Sequence, residues 1–409
     1  MTKLPDYPML GLYIHVPFCS AICNYCNFNR GLFDAALKAR YVEALVGEIE
    51  RAGEIPGSAG AGQRLRPSER GWGPASRQDV TGPGSAADTI YFGGGTPSLL
   101  EPGEIGRLIA ACEDAFDVSR DREVTLEANP ETVTEARLAA YRTAGVNRLS
   151  FGVQSFRDDE LKRLSRLHGA DRARAAYAEA RRAGFDNVSL DLMMWLPAQR
   201  LEEWLASIDA AIGLAPEHLS LYLLEVYPNA PLKDEMARAR WSQAPDEDAA
   251  AMYLTAMQRL DRAGYEQYEI SNVSRPGRRS RHNMKYWIDG EWLGFGCGAH
   301  STRAGARWKN VSATEDYVAR VQAGESAACD MRRLPLDERL GDALFTGLRL
   351  TEGVNLDLIR ARYGVDVWRR YGAELGPFIE DGCLIQDRDR LRLTRRGMLL
   401  AHEVMTVFV

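Results

Sequence analysis

Residues 11–28 read GLYIHVPFCSAICNYCNF. A short apolar run, GLYIHV, leads straight into three cysteines, Cys19, Cys23 and Cys26, spaced C-x3-C-x2-C, and Phe28 stands two residues on where a further ligand could have been. A strand that feeds a ligand-bearing loop is the opening half of a βα unit, and the rest of the chain repeats that unit. The helical pattern DAALKARYVEALVGEIERAG (34–53) follows, then TIYFGGG (89–95) as a strand entering a glycine turn, and a helix near 103–116. EVTLEAN (123–129), RLSFGVQS (148–155), NVSLDLMM (187–194) and HLSLYLL (218–224) continue the series with helical segments between them. Successive βαβ units build a parallel sheet. Right-handed crossovers curl such a sheet. The sequence therefore predicts an α/β fold, a partial (β/α)6 TIM-like barrel over residues 1–272, with its chemistry at the carboxyl ends of the strands.

Two stretches depart from this rhythm. Residues 56–87 hold seven glycines, four prolines and four serines with almost no apolar periodicity, a composition expected of a disordered surface insertion or, less simply, a lid. From 333 to 409 short helical patterns (DALFTGLRL, NLDLIRARYG, VWRRYGAELGPFIEDG) precede CLIQDRDRLRLT, two strands around a polar turn, and a closing helix TRRGMLLAHEVMTVF. That order predicts a small winged-helix-like α+β domain, joined to the barrel by a segment, 273–332, that packs on it. Winged helices often hold DNA, but 333–409 carries 12 Arg against 12 acidic residues and no Lys, so no nucleic-acid partner is expected.

The 409 residues are 45% hydrophobic and 26% charged, enough for a sizeable core, and the net charge of −6 argues against a general polyanion-binding surface. No apolar run approaches the roughly 18 residues of a membrane span. MTKLPDYPML lacks the features of a signal peptide, so a cytoplasmic location is expected. In that compartment seven cysteines are not a disulfide framework. Cys112, Cys297, Cys329 and Cys383 are scattered and read as small buried hydrophobes.

Three thiolates from one loop can reach one metal centre. Zinc favours four closed ligands. A four-iron cluster held by three cysteines leaves one iron free to take a small molecule. A zinc knuckle or an incidental cluster are the alternatives. Polar residues at the ends of otherwise apolar strands extend the site: the GGGTP turn (93–97), Glu127 after the third strand, Gln154 after the fourth with Arg166 in the helix beyond, and Asp191 in the fifth.

These motifs resemble the radical S-adenosylmethionine (SAM) superfamily. The resemblance implies a [4Fe–4S] cluster on Cys19, Cys23 and Cys26 and SAM on the unliganded iron. Gly94, Gly95 and Thr96 would form the loop for the SAM ammonium, and Glu127, Gln154, Arg166 and Asp191 would contact its ribose, carboxylate and adenosyl parts. Tyr13 and Tyr25 match positions that line the same ligand. GLYIHVPFC, YFGGGTPSLL, GVNRLSFGVQSF and the YEISN…HN-x-x-YW text narrow the resemblance to the oxygen-independent coproporphyrinogen III oxidase family. That family has two functional types, the decarboxylating oxidase and HemW, a haem chaperone that delivers haem to acceptor proteins. Phe28 in place of the oxidase's last cysteine, the absence of a long segment before Cys19, and HNMKYW (282–287) favour the HemW type. By resemblance His282, Asn283, Tyr286 and Trp287 bind haem. A histidine is a common axial ligand and aromatics can stack on a porphyrin. The bland alternative is a turn whose aromatics pack into the core. His300 is left without a role, and His15 is expected to make a structural hydrogen bond. Implied partners are haem-accepting proteins, with association at the membrane periphery where acceptors lie there, and an electron donor to the cluster. Where the family reads DLIYGLPGQT this chain reads DLMMWLPAQR, and Trp195 is expected to fill space that a ligand occupies in relatives.

Overall fold

A computed structural model describes residues 9–53, 86–228 and 230–409. Six strands follow one another in the chain and in space, all parallel: β1 (Leu10–Val16), β2 (Ala86–Gly94), β3 (Asp117–Ala128), β4 (Arg148–Gln154), β5 (Val188–Met194) and β6 (His218–Leu223). Between them cross α1 (Ala35–Gly53), α2 (Pro102–Ala115), α3 (Glu135–Thr143), α4 (Asp158–Arg163) with α5 (Ala170–Arg182), and α6 (Leu201–Leu214). This is the expected partial barrel. No helix among the described residues is long and apolar enough to cross a membrane.

The strands alternate with period two, and the alternation separates a core from a lumen. Leu12, Ile14, Ile90, Phe92, Val124, Leu126, Leu149, Phe151, Leu190 and Leu219 belong to the main apolar core. Their neighbours face the other way and are polar: Tyr13, Tyr91, Glu127, Ser150, Asp191 and His218 meet one another across the barrel interior. The lumen of this barrel is therefore hydrogen-bonded and charged, whereas the apolar stripe of each strand packs outward.

After α7 (Pro231–Ala239) and α8 (Asp246–Arg262), short strands extend both edges: β7 (Glu266–Glu269) and β8 (Asn272–Ser274) beyond β6, and β9 (Trp292–Phe295), β10 (His300–Arg303), β11 (Ala306–Asn310) and β12 (Ala328–Arg333) beyond β1. The order is β12-β11-β10-β9-β1-β2-β3-β4-β5-β6-β8-β7. β9 runs parallel to β1 and the remaining additions are antiparallel. Residues 273–332, expected as a linker packed on the barrel, thus also supply the edge strands β9 to β12. Between β8 and β9, α9 (Arg281–Trp287) carries the HNMKYW residues.

One further boundary and one helix differ from expectation. Residues 56–85 of the expected insertion lie outside the described residues. Ala86 and Ala87 belong to β2, where buried Ala87 pairs with Leu10 and Val118. α10 (Thr314–Gln322) lies between β11 and β12, and the C-terminal region after β12 comprises α11 (Leu336–Gly347), then β13 (Val354–Asn355), α12 (Leu356–Tyr363), α13 (Val367–Glu380) and a hairpin, β14 (Leu384–Asp387) and β15 (Arg390–Leu393). β13 adds to the hairpin in the order β13-β15-β14. The closing helix is two pieces, Arg395–Leu399 and Ala401–Met405, broken at Leu400, and the break lets Met398 on one piece and Val404 and Met405 on the other all bury.

Candidate functional site

The cysteine loop leaves β1 at Val16 and is pinned at its base. Phe18–Cys19 pairs with Gly31–Leu32, Gly31 N–H donates to the Pro17 carbonyl at 2.7 Å, and Phe33 N–H donates to that of Cys19 at 3.0 Å. Side chains tie the loop to the barrel. The amide of buried Asn24 donates to the Arg163 carbonyl at 2.8 Å, and Arg166 donates to the Cys23 sulfur at 3.3 Å. Behind the loop, His15 Nε2 is bonded to the Asn29 carbonyl at 2.8 Å, the structural hydrogen bond expected of it, and Asn29 in turn donates to the carbonyls of Cys297 and Ser312.

Cys19, Cys23 and Cys26 line one cavity of about 400 Å3 at the carboxyl ends of the strands. Tyr25, Gly94, Gly95, Thr96, Glu127, Gln154, Arg166 and Asp191 line the same cavity. The glycines are there for space. A Cβ on Gly95 would stand 2.7 Å from the Phe18 carbonyl oxygen, and Gly94 has φ +116°, a backbone that disfavours other residues. Gln154, at the end of β4 beyond a bulge, also has a left-handed backbone, φ 68°. Such a conformation in a non-glycine residue is costly and recurs where a site dictates it. Arg166 donates to Asn129 Oδ1 at 2.7 Å and to the Gly152 carbonyl at 2.8 Å, so one guanidinium joins the cysteine loop to β4 and to the residue after β3.

Two carboxylates stand at the cavity wall. Glu127 accepts from the Tyr91 hydroxyl at 2.8 Å and from Gly94 N–H at 3.1 Å. Burial, opposed by the Tyr91 bond and reinforced by the charge of Asp191, pushes its pKa up to about 7. Asp191 accepts from Ser150 at 3.2 Å, and burial raises its pKa as well. Burial pushes the Cys19 and Cys26 thiols up.

The donor set suits an iron–sulfur cluster better than a single ion. Among the described residues no three His, Cys, Asp or Glu converge on a point that would hold one metal ion. Three separate thiols around one cavity instead fit a multi-iron group in which each thiol takes its own iron.

Other expected residues lie elsewhere. Tyr13 is inside the lumen below the cavity, stacked on Tyr91 with ring centroids 6.1 Å apart and bonded to His15 Nδ1 at 3.2 Å. The HNMKYW residues are not at the cavity either. His282 is 1% exposed, with Nδ1 bonded to the Thr89 hydroxyl at 2.8 Å and Nε2 to the Tyr286 hydroxyl at 2.9 Å. Burial, then Lys285 and Arg148, pull its pKa down to about 3, so the imidazole is neutral. Tyr286 meets Trp292 edge-on at 4.7 Å, and Trp287 lies under the Arg349 guanidinium at 4.4 Å. Asn283 is half-buried, its N–H directed to the Ser280 hydroxyl that caps α9. In this state α9 plugs the lumen, and no ring nitrogen of His282 is presented to a ligand.

Trp195 does not fill the cavity. Its indole N–H donates to the Ala244 carbonyl at 2.7 Å, away from the lining. Cavity residues that the motifs did not single out include Arg30, Asn129, Ser150, Tyr222 and Tyr227. Period-two parity from Glu127 points to Asn129, and parity within β4 points to Ser150. Phe28 is 65% exposed on the cavity rim.

Comparison with known proteins places this geometry. Residues 83–211 match the Radical SAM superfamily, and residues 334–400 match the HemN C-terminal domain. The chain is 34% identical to the haem chaperone HemW of Bacillus subtilis, over 98% of this chain and 99% of that one. It is 39% identical to HemW of Escherichia coli over 73% of this chain and 71% of that one. It is also 33% identical to radical S-adenosyl methionine domain-containing protein 1, mitochondrial, of Bos taurus, over 98% and 87%. The solved structure of coproporphyrinogen III oxidase (HemN) from Escherichia coli superposes with a TM-score of 0.81 at 22% identity, covering 100% of this chain and 91% of that one, which establishes a shared fold. With both family regions in place and near end-to-end similarity to HemW proteins, the chain belongs to the radical SAM superfamily and, within it, to the HemW family.

Proposed function

We propose that this protein is a haem chaperone of the HemW type, which binds haem and passes it to acceptor proteins. In this reading Cys19, Cys23 and Cys26 hold a [4Fe–4S] cluster, and the cavity they line takes SAM. When bound, these groups supply one-electron chemistry. The chain's own residues hold and orient. Arg166 fixes the cysteine loop to β4, the Gly94–Gly95 turn leaves room for a ligand against the backbone, and Glu127 and Asp191 present acceptors to a cationic one.

The observation that carries the chaperone reading is Phe28. A bulky ring stands on the cavity rim at the position where the oxidase motif ends in a thiol, in a chain that matches haem chaperones from end to end. His282 supplies the candidate axial ligand, Tyr286 and Trp287 the stacking surfaces, and Asn283 a polar contact. Since both ring nitrogens of His282 are engaged, ligation through either one requires its bond, to Thr89 or to Tyr286, to break and α9 to shift out of the lumen.

The test is a haem titration of anaerobically purified, cluster-reconstituted protein followed by Soret absorption, with His282→Ala alongside and a parallel incubation with coproporphyrinogen and SAM. Saturable one-to-one binding, weakened in the variant and without porphyrinogen conversion, is expected. Protoporphyrinogen formation without haem binding would replace this reading with an oxidase.

A further inference from the structure

Inside the lumen, below the cavity, sits a charge that the proposed function does not use. Arg148 opens β4, is 1% exposed, and among the described residues enters no ion pair. Its Nε has no hydrogen-bond partner. Its register neighbour on β3, Thr125, points into the same space and has an equally orphaned buried hydroxyl. An arginine does not escape burial by losing its proton. A buried, unpaired charge is costly, so something in the lumen must compensate it. An additional anion is disfavoured, because Glu123, Glu127 and Asp191 already face this interior.

We infer that Arg148 is a positioning residue for the cavity, a fixed countercharge that acts through the low-dielectric lumen to keep Glu127 and Asp191 available as anions to a cationic ligand. This rests on the proposed reading of the cavity as a SAM site. The groups facing Glu127 are Tyr13 of β1, Tyr91 of β2, Arg148 of β4, Asp191 of β5, Tyr222 of β6 and Tyr286 of α9. Arg148 is the cation in that set; Arg166, which lines the same cavity, is committed to Cys23, Asn129 and the Gly152 carbonyl. The nearby histidines cannot replace it, since burial holds His15, His218 and His282 neutral. Geometry and charge agree. Like charges on Glu127 and Asp191 oppose each other's ionisation, and Arg148 favours both. Its distance from either carboxylate, beyond ion-pair contact, leaves their oxygens without an ion-pair partner, so that a cationic ligand can supply one.

Two measurements test this. In the first, infrared spectroscopy follows the protonated-carboxyl band of Glu127 against pH, the band being assigned by its loss in Glu127→Gln. The wild type should titrate near neutrality. Arg148→Met should move the midpoint upward by about one pH unit or more, and Arg148→Lys, with a shorter arm but the same charge, by less. In the second, calorimetry of SAM binding to cluster-loaded protein between pH 6 and 9 should show Arg148→Met about tenfold weaker at pH 7 and recovering at pH 9. Should the Met variant not fold, Arg148→Lys carries both measurements. An unmoved Glu127 midpoint, or an affinity loss equal at every pH, would overturn the role of Arg148. A shifted midpoint with no SAM binding even in the wild type would support the countercharge and overturn the cavity's assignment.

Discussion

At the scale of single residues, positions 195 and 198 keep a backbone made for glycine. Trp195 has φ 63° and Ala198 φ 57°. A left-handed backbone costs a non-glycine residue about 1–2 kcal/mol. Ala198 is exposed, so replacing it removes no packing. Ala198→Gly should therefore stabilise the protein, by up to about 1 kcal/mol once the greater freedom of glycine in the unfolded chain is subtracted. Urea denaturation would show this as a higher midpoint at unchanged slope. Trp195→Gly relieves the same strain but gives up the indole bond to Ala244, so no comparable gain is expected. The sequence shows the substitution of both glycines but not its direction, because the indole's partner, the Ala244 carbonyl, lies 49 residues further along the chain. Glu127 gives a second test. Its folded pKa, about 7, lies above the ordinary 4.5, so the folded state holds a proton that the unfolded state releases. The stabilisation this brings is complete below pH 4.5 and is lost as pH rises through 7. Glu127→Gln should match the wild type near pH 4 and exceed it at pH 8, by no more than about 3 kcal/mol. Equal stability curves across that range would sink the argument.

At the scale of elements, strands and helices were readable where one period dominates. α1 declares itself by its apolar spacing, and the cysteine loop by its motif. The polar lumen went unread because each strand carries enough Val, Leu and Ile to look uniformly apolar. Read in alternate positions, polar residues such as Thr89, Glu123 and Glu127 mark the inner face. The plug is harder to see, since nothing local in HNMKYW says that a one- to two-turn helix will close a barrel from below. Its anchor is Lys285, 3% exposed, which donates to Asp88 on β2 and to the Met9 carbonyl ahead of β1. Arg281 reaches the same Asp88 at 3.1 Å. Asp88→Asn would leave the ammonium buried without its counterion. Breaking such a pair costs on the order of 3 kcal/mol. Thermal unfolding should fall accordingly, and amide exchange should rise first in residues 281–287. Protection there equal to the wild type would mean that α9 is held by packing alone.

At the scale of the molecule, the C-terminal region is a clamp on that plug. Arg349, just beyond α11, pairs at 2.9 Å with fully buried Glu269 of β7 and lies over the Trp287 ring. Arg362 and Tyr363 of α12 both bind Asp289, the former at 2.6 Å, and Arg279 meets Glu352 at 2.6 Å. None of these pairs is local in sequence, which is why the sequence predicted a winged-helix-like domain without saying what it packs against. Their consequence is kinetic. If haem takes His282, α9 must first leave the lumen, and every contact from the C-terminal region that holds Trp287 and Asp289 opposes that step. Arg349→Ala removes a stacking cation from α9 and uncovers a buried carboxylate. It should destabilise the fold by about 3 kcal/mol, in the range for breaking a buried pair. The same loosening should speed haem uptake in stopped-flow Soret measurements, because less of the protein is held in the closed state. Arg349→Ala combined with His282→Ala should lose stability without gaining rate. Faster uptake in the double variant would place the haem ligand outside α9, while slower uptake in the single variant would mean that the clamp shapes the haem site rather than shutting it.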